Sequence, residues 1–401
     1  MMQRGAGPSI LLVSNGYGEA AICGYLARAI AERSPHAVLE HLRLVGQTPD
    51  GAWPPGVGPQ REMPSGGLVT YGNARNLLRD VRSGLVSLSL RQYGFLRTQR
   101  ARDAIVAVGD VYCLAVCLAF ARRPTAFVAT AKSEYVAGHS RFEALIARRA
   151  AVTFARDEPT AVALERRGVR AQWVGNAMMD GLAPPQPGSL PVRDDAVRFA
   201  VLPGSRRDAA ANAGAAIRRL RKIARVLAER GESVQAFVSI AESASERDVA
   251  HAIEREGVEL SSRSGDADVS LGTAPEPNLE VMLVRGRFAE LLAASQTVLG
   301  QAGTANEQAA GLGLPIIAAS DPGVPPERVG WYRRRQQRLL GNALLVLPDD
   351  DEAFVSGVVQ VLDDAERRNR MAAAGKQRMG EPGAAAKIAD IVVTLAECGR
   401  L

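Results

Sequence analysis

One stretch in the last third of the chain limits its possible folds more than any other: Val298-Leu-Gly-Gln-Ala-Gly-Thr-Ala-Asn-Glu-Gln-Ala-Ala-Gly-Leu-Gly-Leu-Pro-Ile-Ile-Ala318. It predicts a short buried strand, a glycine turn, one compact helix and a second strand opened by Pro315. Gly300 and Gly303 let backbone approach a ligand where a side chain would clash. Thr304 is suited to cap the helix, and the free N–H groups of a helix start favour an anion such as a diphosphate. Glu307 falls in the first helical turn on roughly the same side as Thr304, where a carboxylate can accept hydrogen bonds from two ribose hydroxyls. Gln308, next along, is grouped with it. The same residues also read as a plain capping box of Thr304 with Glu307, and this stretch alone does not separate the two readings.

Alternation of strand and helix runs through both halves of the chain. Strands are predicted at Ser9–Val13, Ala104–Val108, Ala126–Thr130, Ala151–Phe154, Arg198–Leu202, Gln235–Ile240, Leu279–Val284 and Ala343–Leu347, as short apolar runs bounded by turn residues. Helices are predicted at Ala20–Arg33, Val111–Ala121, Arg287–Ser295 and Glu327–Leu340, with Ser261–Val269 and Asp321–Pro326 as loops. At 401 residues the chain calls for two domains. The proline-rich run 183–191 is the clearest boundary. The expected division is an N-terminal domain over 1–182, a linker over 183–196, a C-terminal domain over 197–382 and a closing helix over 383–401. No internal repeat of solenoid period is visible.

Composition narrows the class. With 47% apolar and 23% charged residues, this is the make-up of a soluble globular protein. A formal charge of +6 favours anionic partners, whether nucleotide-sugars, acidic lipids or nucleic acid. Aromatics at 5% and dispersed arginines argue against nucleic acid. Cys23, Cys113, Cys117 and Cys398 form no CxxC pair, and four thiols in so long a chain point to a reducing cytoplasm. The histidines show no metal-ligand spacing, so neither metal nor cofactor is expected. Ile10–Val13 is too short for a signal core, and the apolar run Ile105–Ala121 is interrupted by Gly109-Asp110. Residues 74–102 carry Leu78, Val81, Leu85 and Leu88 at helical spacing among many arginines. Such a basic amphipathic segment suits either an anionic membrane surface or an ordinary pair of surface helices.

Three more motifs stand at strand ends. Leu11-Leu-Val-Ser-Asn-Gly-Tyr-Gly-Glu19 is a strand, a glycine turn and a helix start, the phosphate-binding geometry of doubly wound sheets, with Asn15, Gly16 and Gly18 as candidate ligand contacts. Glu19 closes it as a candidate catalytic carboxylate. Gly109-Asp110 ends another strand, making Asp110 a candidate general base or, more simply, an N-cap. In Val201-Leu-Pro-Gly-Ser-Arg-Arg207, Gly204 gives a tight turn, Ser205 can cap, and Arg206 offers a forked cation to phosphate. Without an anion, those arginines at a helix start would be mildly unfavourable.

Together with the stretch 298–318, these motifs resemble lipid-A-disaccharide synthase and its relatives among the GT-B glycosyltransferases. The resemblance implies an α/β fold of two Rossmann-like parallel-sheet domains facing an interdomain cleft. It implies a metal-independent, inverting transferase that uses UDP-N-acetylglucosamine or an acylated derivative as co-substrate and a lipid-linked sugar as acceptor. Cytoplasmic residence follows, with peripheral contact at the inner face of the membrane. On the same basis Arg287 and Phe288 border the uracil, and Asn176 enters from Trp173-Val-Gly-Asn-Ala-Met-Met-Asp180, which has Ala177 where the family has proline. The N-terminal turn also departs from the family's Gly-Glu-Ala-Ser-Gly-Asp pattern. Two alternatives stay open: an enzyme like the GT-B-fold UDP-N-acetylglucosamine 2-epimerases, and a non-catalytic nucleotide-sugar-binding relative.

Overall fold

The apolar runs become the centres of two sheets. The structure, a computed structural model, describes residues 7–62, 81–182, 190–204, 208–241, 244–262, 268–325 and 327–399. The chain divides into two compact units, residues 1–181 with 382–401, and residues 182–381. Ser205, Arg206, residues 74–80 of the basic segment and residues 183–189 of the proline-rich linker lie outside the described residues.

In the first unit the order is β1 (Ser9–Ser14), α1 (Tyr17–Arg33), β2 (Val38–Arg43), α2 (Leu85–Thr98), β3 (Ala104–Gly109), α3 (Val111–Val116), β4 (Thr125–Ala129), α4 (Arg141–Ala147), β5 (Val152–Phe154), α5 (Glu158–Glu165) and β6 (Ala171–Gln172). A π-helical turn, Cys117–Ala121, continues α3, where the sequence predicted one uninterrupted helix. The sheet runs β2-β1-β3-β4-β5-β6, parallel throughout. Because both faces are covered, β1 and β3 carry apolar residues at nearly every position. Ile10 and Leu12 pack with Leu26 and Ile30 of α1 and with Ile388 and Val392 of the C-terminal helix Ala384–Cys398. Leu11 and Val13 point the other way, to Leu114, Phe127 and Leu164. That helix is fastened at its start by Asp180, whose carboxylate accepts from Gly383 N at 2.6 Å and Ala385 N at 3.0 Å.

The second unit contains β7 (Ala196–Leu202), α6 (Ala209–Ala228), β8 (Ser233–Ile240), α7 (Glu246–Glu254), β9 (Glu259–Ser262), β10 (Val269–Thr273), β11 (Leu279–Arg285), α8 (Phe288–Ala294), β12 (Thr297–Gly300), α9 (Thr304–Gly311), β13 (Ile316–Ala319), α10 (Trp331–Leu340), β14 (Leu344–Leu347), α11 (Asp351–Asp363) and α12 (Ala365–Met379). Its sheet runs β14-β13-β12-β7-β8-β11-β10-β9. All neighbours are parallel except at the edge, where β10 is antiparallel to both β11 and β9. This corrects the loop expected at Ser261–Val269, whose two ends lie in strands. An edge strand has one unpaired side and needs no continuous apolar run, so Glu259-Leu-Ser-Ser262 gave a weak signal. The core gathers Phe199 and Val201 with Ile217, Leu220 and Ile223 of α6 and Phe354 and Val358 of α11.

Candidate functional site

Each sheet has one place where successive connections leave in opposite directions, and the carboxyl ends of strands beside such a switch point leave a crevice for ligands. In the first unit it lies between β1 and β3, in the second between β7 and β12.

At the first crevice the turn Asn15-Gly16 follows β1, and Gly16 is the N-cap of α1. Asn15 Nδ2 donates to Asp110 Oδ1 at 2.6 Å, tying the end of β1 to the end of β3. Gly109 must be glycine here, because its φ is +145° and an added Cβ would meet Asn15 Oδ1 at 1.9 Å. Asp110 is the N-cap of α3 and accepts from Cys113 N at 3.0 Å. The capping reading is therefore realised, and it leaves Asp110 Oδ2 as the other edge of the carboxylate. Burial pushes the Asp110 carboxyl up from its ordinary value, opposed by the hydrogen bonds from Cys113, Asn15 and Tyr112. A raised carboxyl is better matched to taking a proton near neutrality. Glu19, in the first turn of α1, accepts from Thr130 Oγ1 at 3.1 Å just beyond β4. Gly18 is exposed, with open space above it. Asn176 is 7% exposed, and its Oδ1 accepts from Met178 N at 3.1 Å. Its buried Nδ2 finds no partner among the described residues, and the side chain lines a small cavity with Thr130, Phe154, Arg156 and Ile388.

At the second crevice Gly204 follows β7 with φ +99°, and its missing Cβ faces Ala302. Gln301 N donates to Leu202 O at 2.8 Å, which holds the two strand ends together. The turn Gln301-Ala-Gly303 then enters α9. Two expectations are corrected here. Thr304 is the first helical residue rather than the N-cap; Gly303 holds that position and no side chain caps the helix, so the capping box is not formed. The space over Gly300 is also not left for a ligand: a Cβ there would meet Asn306 Oδ1 at 2.3 Å, and Asn306 Nδ2 donates to Gly300 O at 3.0 Å. Over Gly303 the neighbour would be the Tyr332 hydroxyl, at 3.0 Å. Glu307 and Gln308 sit half-buried on the first turns of α9.

Gly204, Gly300, Gly303, Thr304, Glu307 and Gln308 thus come together at one strand-end crevice. Arg287 and Phe288 stand apart, at the start of α8 beyond β11, two strands from β7 and about 10 Å across the sheet. Arg287 faces Asp268 at 3.8 Å. The sequence reading missed Arg333 and Gln336. They belong to a run, Arg333-Arg-Arg-Gln-Gln337, that looks like solvated surface, yet they are 5% and 6% exposed. Their spacing from Leu339 and Leu340, on the same helical face, was the available signal.

No family profile matches the chain, and no curated protein matches it in sequence. Solved structures do match along its length. A Listeria monocytogenes protein assigned as a UDP-N-acetylglucosamine 2-epimerase has a TM-score of 0.62 at 14% identity, covering 98% of this chain and 97% of that one. MnaA of S. aureus, solved with UDP, has a TM-score of 0.60 at 13% identity, covering 98% of both chains. MurG of Acinetobacter baumannii has a TM-score of 0.55 at 14% identity, covering 96% of this chain and 99% of that one. The fold is GT-B. Within it, the crevice at β7 and β12 brings two strand ends, the start of α9 and Glu307 together in one unit.

Proposed function

We propose that the chain is a UDP-sugar-dependent glycosyltransferase that moves a hexosaminyl group from UDP-N-acetylglucosamine, or an acylated derivative, to a lipid-linked sugar. The observation that carries it is the crevice between β7 and β12, where Gly204 follows β7 and α9 begins uncapped by any side chain, with Glu307 in its first turn. The N–H groups at the start of α9, with Arg206, take the charge that grows on the diphosphate as the bond from the anomeric carbon breaks. Glu307 holds the ribose hydroxyls. In the first unit Asp110 is the candidate base for a sugar hydroxyl, with Asn15 fixing its carboxylate, and Glu19, on the first turn of α1, is the second candidate carboxylate. The acceptor's lipid follows the basic helix α2, where Val86 and Leu90 are 56% and 63% exposed. Among the described residues no helix is long and apolar enough to cross a membrane.

Isothermal titration tests the donor half. UDP and UDP-N-acetylglucosamine should bind in the micromolar range, and Glu307→Ala and Arg206→Ala should each weaken binding by about 10- to 100-fold. Absence of binding by any uridine nucleotide sinks the assignment.

A second reading is favoured by the Listeria monocytogenes neighbour: a UDP-N-acetylglucosamine 2-epimerase acting on the same donor. The two separate in heavy water without any acceptor. An epimerase exchanges the C2 hydrogen for deuterium and yields the C2 epimer; a transferase leaves C2 unlabelled.

A further inference from the structure

Two side chains of α10 take hold of the turn that leads into α9. Arg333 Nη2 donates to the Gln301 carbonyl at 3.0 Å and also to the Gln301 side-chain oxygen, while Nη1 donates to Gln336 Oε1 at 2.8 Å. Gln336 Nε2 in turn donates to Ala302 O at 2.8 Å and Gly303 O at 3.4 Å. Three successive carbonyls are therefore drawn to one side by two buried side chains. In a trans peptide the N–H of the next residue points opposite to the carbonyl. The N–H groups of Ala302, Gly303 and Thr304 are thus turned to the other side of the turn. Behind it lies a guanidinium that is almost wholly buried, with Asp321 Oδ1 4.0 Å from its Nε and no hydrogen-bond partner for that nitrogen among the described residues. A buried cation so loosely compensated is costly alone, and an anion bound in front of it offsets that cost.

We propose that Arg333 and Gln336 are positioning residues for the donor's diphosphate: they pull the carbonyls of 301–303 away from the ligand, aim the following N–H groups at it, and place one positive charge behind them. The proposal rests on the donor-site reading of α9. It differs from a merely structural role because it predicts an effect on phosphate recognition as well as on the loop.

The test compares UDP with uridine, which shares the base and ribose but lacks phosphate. Wild type, Arg333→Met and the milder Gln336→Glu are titrated with each, and amide exchange over 301–305 is followed in ligand-free protein. Gln336→Glu keeps the acceptor for Arg333 and removes the donor to Ala302 and Gly303, so it serves should Arg333→Met fail to fold. Expected are faster exchange at 301–305, a loss of UDP affinity of about 10- to 100-fold, and uridine affinity within about threefold of wild type. Unchanged exchange overturns the proposal whatever the ligands do. A wild-type preference for UDP that the variants keep overturns this proposal alone. A wild type that binds UDP no better than uridine overturns the donor-site reading and the proposal with it.

Discussion

At the scale of single residues, Asp110 carries the clearest conflict between stability and use. Burial raises its carboxyl above the ordinary value of 3.8, so the folded state favours the protonated acid. Its contribution to stability is therefore full below that unfolded value and lost as pH rises through the folded one. At neutral pH the ionised group opposes the fold, even though it caps α3. An amide in its place still offers an oxygen to Cys113 N and Asn15 Nδ2. Asp110→Asn should thus unfold at the same temperature as wild type or higher at pH 7.5, with the advantage shrinking toward pH 4. Transfer should fall by about 10²- to 10⁴-fold. Thermal unfolding and turnover measured side by side decide it: lowered stability with intact turnover would leave Asp110 as a cap only. Asp110 was legible because strand ends of this fold type receive ligands. Arg333 was not, because a polar run hides which of its members faces inward until the helix's buried neighbours are known. Gly300 was legible as an obligate glycine, but the cause lies within the chain, in Asn306.

At the scale of elements, two fastenings set where the working helices lie. Asp180 holds the start of the C-terminal helix from more than two hundred residues away in sequence, through charge-assisted bonds to Gly383 N and Ala385 N. Asp180→Ala should cost about 1–2 kcal/mol by analogy with other lost caps, read as a lower unfolding midpoint for the first unit. An unchanged midpoint would show that α1 packing alone keeps that helix in place. In the second unit Gly375 of α12 lies against α9, and a Cβ there would come within 2.2 Å of Ala310 O. Alanine is the better helix former by about 1 kcal/mol, yet Gly375→Ala should destabilise by about 1–3 kcal/mol through overpacking. Since α9 carries the candidate donor contacts, UDP affinity should fall too; a stabilised variant with wild-type affinity would refute this. The alternation of strands and helices was plain in the sequence because buried parallel strands must be apolar at almost every position. The hairpin β9–β10 was not, since an edge can be polar. The helix start at Thr304 was misread by one residue because a threonine beside glycine satisfies the capping pattern in either register.

At the scale of the whole molecule, the chain repeats one plan twice: a parallel sheet, a switch point, and a glycine turn leading into a helix at that switch. The two versions are not chemically alike. The first offers carboxylates, Asp110 and Glu19, with the amide of Asn176; the second offers backbone N–H groups, a buried guanidinium and Glu307. Nucleotide binding should therefore leave its mark on one unit. At a UDP concentration one hundred times the dissociation constant, linkage supplies about 2.7 kcal/mol. For a unit of roughly two hundred residues this raises the unfolding midpoint by about 5–10 °C. Peptide-resolved amide exchange during heating should show the delay in segments 196–204 and 297–311, with segments 9–20 and 104–116 following their ligand-free course. Protection confined to the first unit would reverse the assignment of nucleotide to the β7 and β12 crevice and make the carboxylate-bearing crevice the nucleotide site. The division of labour proposed here requires the opposite. Both crevices open on a helix start, but the first sets two carboxylates, Asp110 and Glu19, against a diphosphate, whereas in the second the single Glu307 is offset by the buried Arg333 guanidinium.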